Sequence, residues 1–505
     1  MMKLDGKSLT VEKIAQAVRT DEKIEIDGNA KERILASRKF VEDAFEKKKV
    51  MYGTTTGIGE LANVVLSPEQ AKDFSKYLVY SHAAGYGKPV KLEEAKAAII
   101  SRLNTLSKGI SGVRLEVVEF IVEMINRGIT PVMYPASVGA CGDLAPLAQA
   151  MLVPLGKGEA FYNGERMSGK QALEKVGLLP IEYEIRDGLA VINGSQLTVG
   201  MGALAVKDSD VLVKTSEIVA ALTFEALKAV PMAFSEEIFK ARGFLGGIKS
   251  ARNIRKLIEG STLIGSSDKV QDAYSIRSTP QVVGAVKDSL EFVKSQIEIE
   301  LNAGADNPLF IPDKGYFAGA NFQGTPIALP LELLGIAITN VAVISERRLN
   351  RLVNPNLNLG LPGFLIEGAG MYSGIMIPQY TAASLVNRNR LLANPTATGS
   401  IPTAADQEDF VSMGTNTAIK TREIIDNSFA VIAMELLAGA QAIDLRKKQG
   451  DVNLGKGTQI VYNVVRKYVD FLDVDRPLYP DIEKLKDVVA SGEILREVEK
   501  VVKLE

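Results

Sequence analysis

The only cysteine of the 505-residue chain lies in a stretch of small residues that could carry unusual chemistry. Residues 137–148 are Ser-Val-Gly-Ala-Cys-Gly-Asp-Leu-Ala-Pro-Leu-Ala, so Cys141 lies between Ala140 and Gly142, and a helix-like segment follows. One interpretation is a tight turn around a buried free thiol, because unpaired cysteine behaves as a small apolar side chain. The other is a segment that carries out chemistry, and that interpretation needs support from elsewhere in the chain.

Histidine also occurs only once, as His82. A single imidazole excludes HExxH zinc chemistry and every metal site built from several histidines. The chain has no GxxxxGK[ST] phosphate loop, because residues 455–458 are Gly-Lys-Gly-Thr in the wrong order, and no carboxylate spacing resembles a calcium loop. We therefore expect no metal site.

The charge balance gives no sign of a polyanionic partner. The chain has 59 Lys and Arg against 61 Asp and Glu, a formal net charge of −2 and a pI of about 5.9. This balance offers no electrostatic reason to bind nucleic acid or an anionic membrane. One cysteine excludes an internal disulfide framework and, together with the lack of a signal peptide pattern, predicts a cytoplasmic protein.

The chain changes in character near residue 202. Residues 51–202 are rich in Gly, Pro, Ser and Thr, whereas long helical patterns dominate from residue 206 onward. Apolar residues with i, i+3/i+4 spacing from Val282 to Leu301 predict a helix with one face in a core. We predict a mainly α protein with a loop-rich N-terminal domain, residues 1–202, that carries the cysteine segment, and a long-helix bundle, residues 203–505.

One predicted helix is apolar on nearly every side, which raises the question of a membrane span. The pair Thr325-Pro326 predicts its start, as an N-cap followed by proline at the first helical position. Three residues interrupt the apolar run: Pro330, Glu332 and Asn340. These interruptions favour the centre of a large bundle or oligomer over a membrane span.

Seven blocks, in order along the chain, resemble the aromatic amino-acid ammonia-lyases, the family of histidine, phenylalanine and tyrosine lyases. Any one block would be a weak signal, but seven in the family order are a strong one, and the histidine lyases resemble the chain most. The cysteine segment is similar to the family's GxxGASGDLxPL signature. The other blocks are Tyr52-Gly53 with Thr56-Gly57, residues 81–85, 193–196, 271–277 and 407–409, and Asn321-Phe322.

The resemblance implies a fold, a reaction and an internal cofactor. The family fold is a mainly α, fumarase-like bundle of long helices that forms a homotetramer with shared active sites. Its members eliminate ammonia from an aromatic amino acid without an external cofactor. In their usual Ala-Ser-Gly segment, the glycine nitrogen attacks the alanine carbonyl, and loss of water gives a 4-methylidene-imidazol-5-one that takes up the substrate amine. Glycine suits the attacking position because it tolerates a strained backbone.

Cys141 departs from the family, which has serine at this position. A thiol leaves at least as well as a hydroxyl, so loss of hydrogen sulfide could give the same methylidene group. We expect Ala140, Cys141 and Gly142 to cyclise and to act in catalysis. The alternative is an uncyclised Cys141 in a family-derived binding or scaffold protein, and the retained polar site residues argue against it.

The resemblance also implies roles for other side chains. Tyr52 matches the base that removes the β-proton, and ionising a tyrosine of ordinary pKa at pH 7 costs roughly 4 kcal/mol that the site must supply. Arg277, helix N-termini and exclusion of water would supply it. Arg277 would also bind the substrate carboxylate, and the catalytic Tyr274, three residues earlier, would share its helix face. Three amides would bind cofactor or substrate: Asn193, Gln196 and Gln271, the last two being as compatible with structural contacts.

Residues His82 and Glu408 are the positions at which the family distinguishes substrates. The histidine lyases have both residues and use them to bind the imidazole, tyrosine lyases keep the histidine for the phenol, and phenylalanine lyases usually have an apolar residue there. A phenyl ring would leave both side chains without partners, and polar sites can reject such analogues by about 10⁴-fold. These residues therefore predict histidine, ahead of tyrosine, as the substrate and urocanate and ammonia as the products.

Other positions resemble different members of the family. Residues 321–326, with the expected substrate contact Phe322, are similar to the phenylalanine lyases; Phe410 replaces a histidine, and residues 387–390 replace the common Ser-Glu-Asn-Lys. Three enzyme alternatives therefore stay open: a tyrosine or phenylalanine lyase, an aminomutase, and a related lyase without the ring. The last would expel a better leaving group, such as the trimethylammonium of a thiol-histidine betaine.

Overall fold

The computed structural model describes residues 1–368 and 370–505, and this part of the chain is mostly helical. Nineteen α-helices of these residues set the architecture. They are α1 (Val11–Arg19), α2 (Gly28–Glu46), α3 (Pro68–His82), α4 (Leu92–Leu106), α5 (Leu115–Asn126), α6 (Leu144–Met151), α7 (Gly169–Lys175), α8 (Asp187–Ile192), α9 (Gln196–Ala226), α10 (Glu236–Arg242), α11 (Leu245–Leu257), α12 (Tyr274–Arg277), α13 (Thr279–Leu301), α14 (Thr325–Val353), α15 (Met376–Leu392), α16 (Gly414–Gln449), α17 (Lys456–Tyr468), α18 (Tyr479–Ala490) and α19 (Glu493–Glu499).

Short strands form three small sheets in the described part of the chain. Strands β1 (Met2–Leu4) and β2 (Ile24–Ile26) are parallel; β3 (Thr130–Pro131), β4 (Glu159–Tyr162) and β5 (Glu165–Ser168) form an antiparallel sheet in that order; and β6 (Leu309–Ile311) and β7 (Gly315–Phe317) are antiparallel. In register, Met2 lies opposite Ile24, Ala160 opposite Met167, and Phe310 opposite Tyr316. No strand exceeds four residues among those described, so the prediction of a mainly α protein is confirmed.

By packing, the chain forms two compact units. The first unit comprises residues 1–207, 293–332 and 395–419, and the second comprises residues 208–292, 333–394 and 420–505. The domain boundary after residue 202 stays a prediction. The packing adds that two later segments of the chain, 293–332 and 395–419, belong with its N-terminal residues.

The long helices form where the apolar pattern predicts them. Val286, Val293, Ile297 and Leu301 are all buried along α13, which confirms the predicted core-facing stripe. This helix gains its stability from one continuous apolar face, since each buried aliphatic side chain contributes about 1.5–3 kcal/mol of transfer free energy.

The start of α14 differs in detail from the N-cap predicted at Thr325. The helix already includes Thr325, and the side chain of Gln323 makes the cap. Gln323 Oε1 accepts hydrogen bonds from the Thr325 backbone N (3.2 Å) and Oγ1 (3.0 Å). An amide oxygen two residues upstream thus satisfies one of the free N–H groups of the first turn.

Two described helices, α14 and α16, are long and apolar enough to cross a membrane by length and composition. Most of the apolar window of each helix is nevertheless buried inside the protein, 72% for α14 and 89% for α16. A helix that is apolar all round and buried in this way is typical of the core of a large bundle.

Buried arginines fix the loops of the first unit. Asp306 accepts hydrogen bonds from Arg186 Nη2 (3.0 Å) and Arg102 Nη2 (3.2 Å), and all three side chains are inaccessible to solvent. Arg102 Nη1 also donates to the Asn193 carbonyl (2.5 Å) and to Gln196 Oε1 (3.1 Å). Gln196 therefore makes structural contacts, and the loop that carries Asn193 is anchored to a buried ion pair.

The second unit has a buried ion pair of its own. The carboxylate of Glu435 accepts from Arg348 Nε (2.6 Å) and Nη2 (2.7 Å), from Ser345 Oγ (2.6 Å) and from Thr223 Oγ1 (2.8 Å). Glu435 and Arg348 are both inaccessible to solvent. This bidentate pair ties α9, α14 and α16 together within the unit, and each carboxylate oxygen receives two hydrogen bonds.

Candidate active site

The cysteine segment lies in the first unit, directly before α6, and its backbone pairs with a second loop. Gly194 N donates to the Cys141 carbonyl (3.2 Å), and Asp143 N donates to the Gly194 carbonyl (2.8 Å). Gly142 and Gly194 thereby form an isolated parallel bridge. Gly142 has φ +74°, and a Cβ there would lie 2.1 Å from the Gly194 carbonyl carbon, so no residue with a side chain fits.

Asp143 anchors the segment from its C-terminal side. Its carboxylate is buried and accepts hydrogen bonds from Thr198 N (2.7 Å), Thr198 Oγ1 (3.0 Å) and Thr415 Oγ1 (2.5 Å). Burial raises the pKa of the Asp143 carboxyl, although these hydrogen bonds lower it. The network holds the turn in one conformation, because a buried carboxylate that lost these donors would be strongly destabilised.

The thiol of Cys141 contacts one carboxylate. Its Sγ donates to Glu408 Oε1 (3.1 Å), and Cys141 is only 8% exposed. Burial, together with the nearby Glu408 carboxylate, raises the pKa of the Cys141 thiol far above its usual range. Thr403 Oγ1 donates to the other carboxylate oxygen of Glu408 (3.1 Å). Glu408 therefore lies between a neutral thiol and a hydroxyl.

The surroundings of the segment fit the cyclised group that the resemblance implies. Gly142 has the backbone freedom and the lack of Cβ that ring closure requires. On the adjoining loop, the buried Asn193 Oδ1 has no hydrogen-bond partner among the described residues. Buried acceptors are normally paired, so this atom is available to a donor of the substrate.

Tyr52 reaches the same cluster from the loop after α2. Its Oη accepts a hydrogen bond from Gly59 N (3.1 Å), and its own backbone N donates to Tyr316 Oη (2.8 Å). A Cβ added to Gly59 would lie 4.0 Å from Glu408 Oε1, so the donor to Tyr52 lies beside that carboxylate.

The electrostatics of Tyr52 differ from the expectation that the site makes its ionisation easier. Burial raises the pKa of Tyr52, and the nearby Cys141 and Glu408 raise it further, whereas the Gly59 N–H lowers it. Within the first unit the net direction is therefore opposite to the one a base requires. The physical reason is that a half-buried phenol next to a carboxylate is costly to ionise.

His82 is the last residue of α3, and the helix fixes its tautomer. Nδ1 lies 2.8 Å from the Leu78 carbonyl oxygen and 3.0 Å from Ser81 Oγ. Because a carbonyl can only accept, Nδ1 carries the proton and Nε2 is an acceptor in the neutral ring. Burial lowers the pKa of His82, although the Leu78 carbonyl and the Glu408 carboxylate raise it, so the surroundings favour the neutral ring.

The structure brings several predicted residues together in the first unit. Direct hydrogen bonding joins Cys141 to Glu408, and the charge of Glu408 acts on both Tyr52 and His82. Phe322 joins the group through its backbone, since its carbonyl accepts from Ser195 Oγ (3.1 Å) on the loop that pairs with the cysteine segment.

Three further predicted site residues lie in the second unit: Gln271 just before α12, and Tyr274 and Arg277 within it. The Arg277 guanidinium carbon lies 4.7 Å from the centroid of the Tyr274 ring, and Arg277 Nη1 donates to Gln271 Oε1. Tyr274 is 71% exposed. Within that unit the three side chains form one accessible polar group.

Two residues that hold the site, Gly59 and Thr403, were not predicted from the sequence. Gly59 lies two residues beyond the block that ends at Gly57, and its N–H role depends on a turn that the block does not specify. Thr403 gave no signal, because it faces Glu408 across a hairpin. Three of the four residues between Thr403 and Glu408 have positive φ without being glycine: Ala404, Ala405 and Asp406.

Comparison with known proteins decides the family. The aromatic amino acid lyase family matches residues 9–467. The chain belongs to this family. It is 46% identical over 507 residues to a protein of Clostridium tetani named histidine ammonia-lyase, with 99% of this chain and 98% of that protein covered. The resemblance found in the seven sequence blocks is therefore confirmed.

Solved structures confirm the fold. A tyrosine aminomutase from Streptomyces globisporus matches with a TM-score of 0.95 at 35% identity, covering 100% of this chain and 99% of that one. A histidine ammonia-lyase from Trypanosoma cruzi matches with a TM-score of 0.93 at 33% identity, covering 99% and 96%. The expected long-helix bundle of the ammonia-lyase type is thus the fold of this protein.

Proposed function

We propose that this protein is a carbon–nitrogen lyase that eliminates ammonia from L-histidine to give urocanate. The observation that carries the proposal is the cluster at Glu408, where one carboxylate contacts the Cys141 thiol and acts on both Tyr52 and His82. Full-length similarity to relatives named histidine ammonia-lyase, at 46% identity for one of them, supports it.

The acceptors of the cluster support a substrate whose ring can donate a hydrogen bond. His82 offers Nε2 as an acceptor, and an ionised Glu408 can only accept. A neutral imidazole donates one N–H to such an acceptor and a phenol donates one O–H, whereas a phenyl ring donates nothing. Because unpaired polar groups can cost about 10⁴-fold in discrimination, the site favours histidine most strongly over phenylalanine.

The proposal includes an internal cofactor made from the chain itself. Ala140, Cys141 and Gly142 would form a 4-methylidene-imidazol-5-one, held by the loop of Gly194 and by Asp143. This group supplies an electrophilic carbon for the substrate amine, which ordinary side chains do not offer. Its formation removes one water and one hydrogen sulfide from the chain, and no external cofactor is required.

The side chains of this chain would then bind the substrate and move its protons. Tyr52 is the proposed base for the β-proton, and the Gly59 N–H that it accepts stabilises its ionised form. Loss of the Cys141 thiol would remove one of the groups that raise the pKa of Tyr52. The free Asn193 Oδ1 would accept from the substrate amine.

The family resemblance also implies roles for three residues of the second unit. Arg277 would bind the substrate carboxylate as a planar fork, with Gln271 and Tyr274 beside it. We propose that the enzyme works as a cytoplasmic homotetramer with shared active sites, as the family resemblance implies.

A substrate assay tests the proposal. The purified protein is incubated separately with L-histidine, L-tyrosine and L-phenylalanine, while the near-ultraviolet absorbance of the unsaturated acids and the release of ammonia are followed. We expect turnover of histidine alone. Glu408→Gln should lower kcat/KM for histidine by about 100-fold, because the ring loses its charged acceptor.

Other results would contradict the proposed substrate or the proposed reaction. Turnover of tyrosine or phenylalanine without histidine would contradict the role given to His82 and Glu408. A β-amino acid product would identify an aminomutase. Release of trimethylamine from a thiol-histidine betaine, with no reaction of the three amino acids, would identify a lyase that works without the ring.

A further inference from the structure

Glu332 is a buried acidic residue in the apolar N-terminal half of α14. It interrupts the apolar run of α14, and it is only 5% exposed. Burying a carboxylate is costly unless hydrogen bonds replace its water, so its partners indicate why the position is charged. Glu332 is not one of the candidate active-site residues.

Four hydrogen-bond donors to Glu332 belong to one segment of the first unit. Its Oε1 lies 2.7 Å from Thr396 N and 3.0 Å from each of Thr396 Oγ1, Ala397 N and Thr417 Oγ1. Thr396 and Ala397 begin the segment between α15 and α16, and Thr417 lies in the first turn of α16. One carboxylate oxygen therefore fastens both ends of residues 396–417.

This segment carries Glu408 and has an unusual backbone. Ala404, Ala405 and Asp406 have φ of +49°, +53° and +66°, values that side-chain-bearing residues rarely adopt. The Thr403–Glu408 bridge closes a hairpin around them. Backbone strain of about 1–3 kcal/mol per residue persists only where the surroundings fix it, so the hairpin depends on its anchors.

A second anchor, near the C-terminal end of the segment, is a hydrogen bond to the cysteine segment. Met413 N donates to the Val138 carbonyl (2.9 Å), two residues before Ala140. The hairpin between the two anchors places Glu408 Oε1 at 3.1 Å from Cys141 Sγ. A shift at the Glu332 anchor would therefore move the carboxylate that meets the thiol and, in the proposed function, the substrate ring.

We propose that Glu332 is a positioning residue. It holds the segment of residues 396–417, and with it the Thr403–Glu408 hairpin, so that the Glu408 carboxylate reaches the cysteine segment. The inference rests on the proposed function, in which Glu408 binds the substrate ring. Two demands follow from this role. Removal of the Glu332 carboxylate must impair the reaction through Glu408, and the same removal must loosen the hairpin.

A double-mutant cycle tests the first demand. Glu332→Ala should lower kcat/KM for histidine by about 100-fold, the effect expected of a displacement of about 1 Å. In a Glu408→Gln background the same change should cost less than about threefold, because residues that act through one another are not additive. Glu332→Gln, which keeps the shape and one acceptor, should lie between wild type and Glu332→Ala.

Limited proteolysis tests the second demand without any substrate. Subtilisin should cut Glu332→Ala within residues 396–413 at least about tenfold faster than wild type, since cleavage follows local opening. Asn340→Ala is the matched control. Asn340 interrupts the same apolar helix, but its side chain is exposed and donates to the Ile336 carbonyl of its own helix (2.9 Å), so we expect wild-type cleavage and rates.

The outcomes separate this inference from the proposed function. Non-additive kinetics with a loosened hairpin would support the positioning role. Equal losses in both backgrounds, near-normal rates in Glu332→Ala, or unchanged cleavage would overturn it while histidine turnover stands. A wild-type enzyme without histidine turnover would overturn the proposed function, and the cleavage comparison alone would then decide whether Glu332 holds the hairpin.

Discussion

Two carboxylates of the same residue type, Glu435 in the second unit and Glu408 in the first, have opposite environments. Glu435 is inaccessible to solvent and accepts four hydrogen bonds, two of them from the Arg348 guanidinium. Glu408 is half-buried and accepts from a thiol and a hydroxyl, and among the described residues no cation lies within ion-pair distance of it.

The difference shows what each carboxylate can do. The acceptor sites of Glu435 are filled and its charge is neutralised, so it can only hold helices together. Glu408 has no cation partner among the described residues, and one of its side-chain donors is easily replaced, because a thiol is a poor hydrogen-bond donor. A structural carboxylate is thus recognised by its cation, and a candidate functional one by a charge that the fold leaves unpaired.

The largest expected effect is a loss of activity in the Tyr52→Phe variant, with little change in stability. Tyr52→Phe should lower kcat/KM for histidine by at least about 10³-fold, the range for loss of a general base, because it removes only the hydroxyl that would take the proton. Steady-state assays measure the loss, and a urea titration should show a stability change below about 1 kcal/mol. A rate near that of wild type would remove Tyr52 from the role of base.

The next effect falls on stability and compares the two carboxylates directly. Glu435→Gln should lower the free energy of unfolding by about 3–5 kcal/mol, because it leaves the buried Arg348 without its counter-charge. Glu408→Gln should change it by less than about 1 kcal/mol. Urea unfolding of both variants measures the difference. Equal losses would contradict the division into a structural and a functional carboxylate.

A third carboxylate, that of Glu225, should make the stability of the protein depend on pH, with a smaller effect. Glu225 is buried without a cation among the described residues, and its Oε1 accepts from Gly455 N and Thr458 Oγ1 (both 2.8 Å). Burial raises the pKa of Glu225 to about 7 from its unfolded value of 4.5. The folded state therefore binds the proton more tightly, and stability is lost as the pH rises from about 4.5 through 7.

Glu225→Gln should remove this pH dependence. At pH 8 the variant should be about 1–3 kcal/mol more stable than wild type, whereas near pH 4.5 the two should be equal, because the wild-type carboxyl is then neutral when folded. Calorimetric Tm values at both pH values measure the difference. The same gain at both pH values would show that ionisation of Glu225 is not the cause.

Much of the fold was predictable because its signals are local. The stripe from Val282 to Leu301 follows helical periodicity, and short ordered blocks such as Gly142-Asp143 fix the family without any knowledge of packing. A chemical motif consists of particular residue types at neighbouring positions, so it can be recognised in a single sequence.

The rest depends on contacts between distant residues. Glu332 and Thr396 are 64 positions apart, and Cys141 and Glu408 are 267 apart, so no local pattern could pair them. The hairpin that presents Glu408 has no glycine at its positive-φ positions, and turn rules based on glycine therefore miss it. The charge of Glu332 was visible as an interruption of an apolar helix, but its purpose was not.

The most direct test of the account is the intact mass of the purified, denatured wild-type chain. If Ala140, Cys141 and Gly142 form the electrophilic ring, the chain is lighter than its sequence by one water and one hydrogen sulfide, and a Cys141→Ala chain, which has no leaving group, lacks that loss of sulfide. The full unmodified mass in protein that converts histidine to urocanate would contradict it.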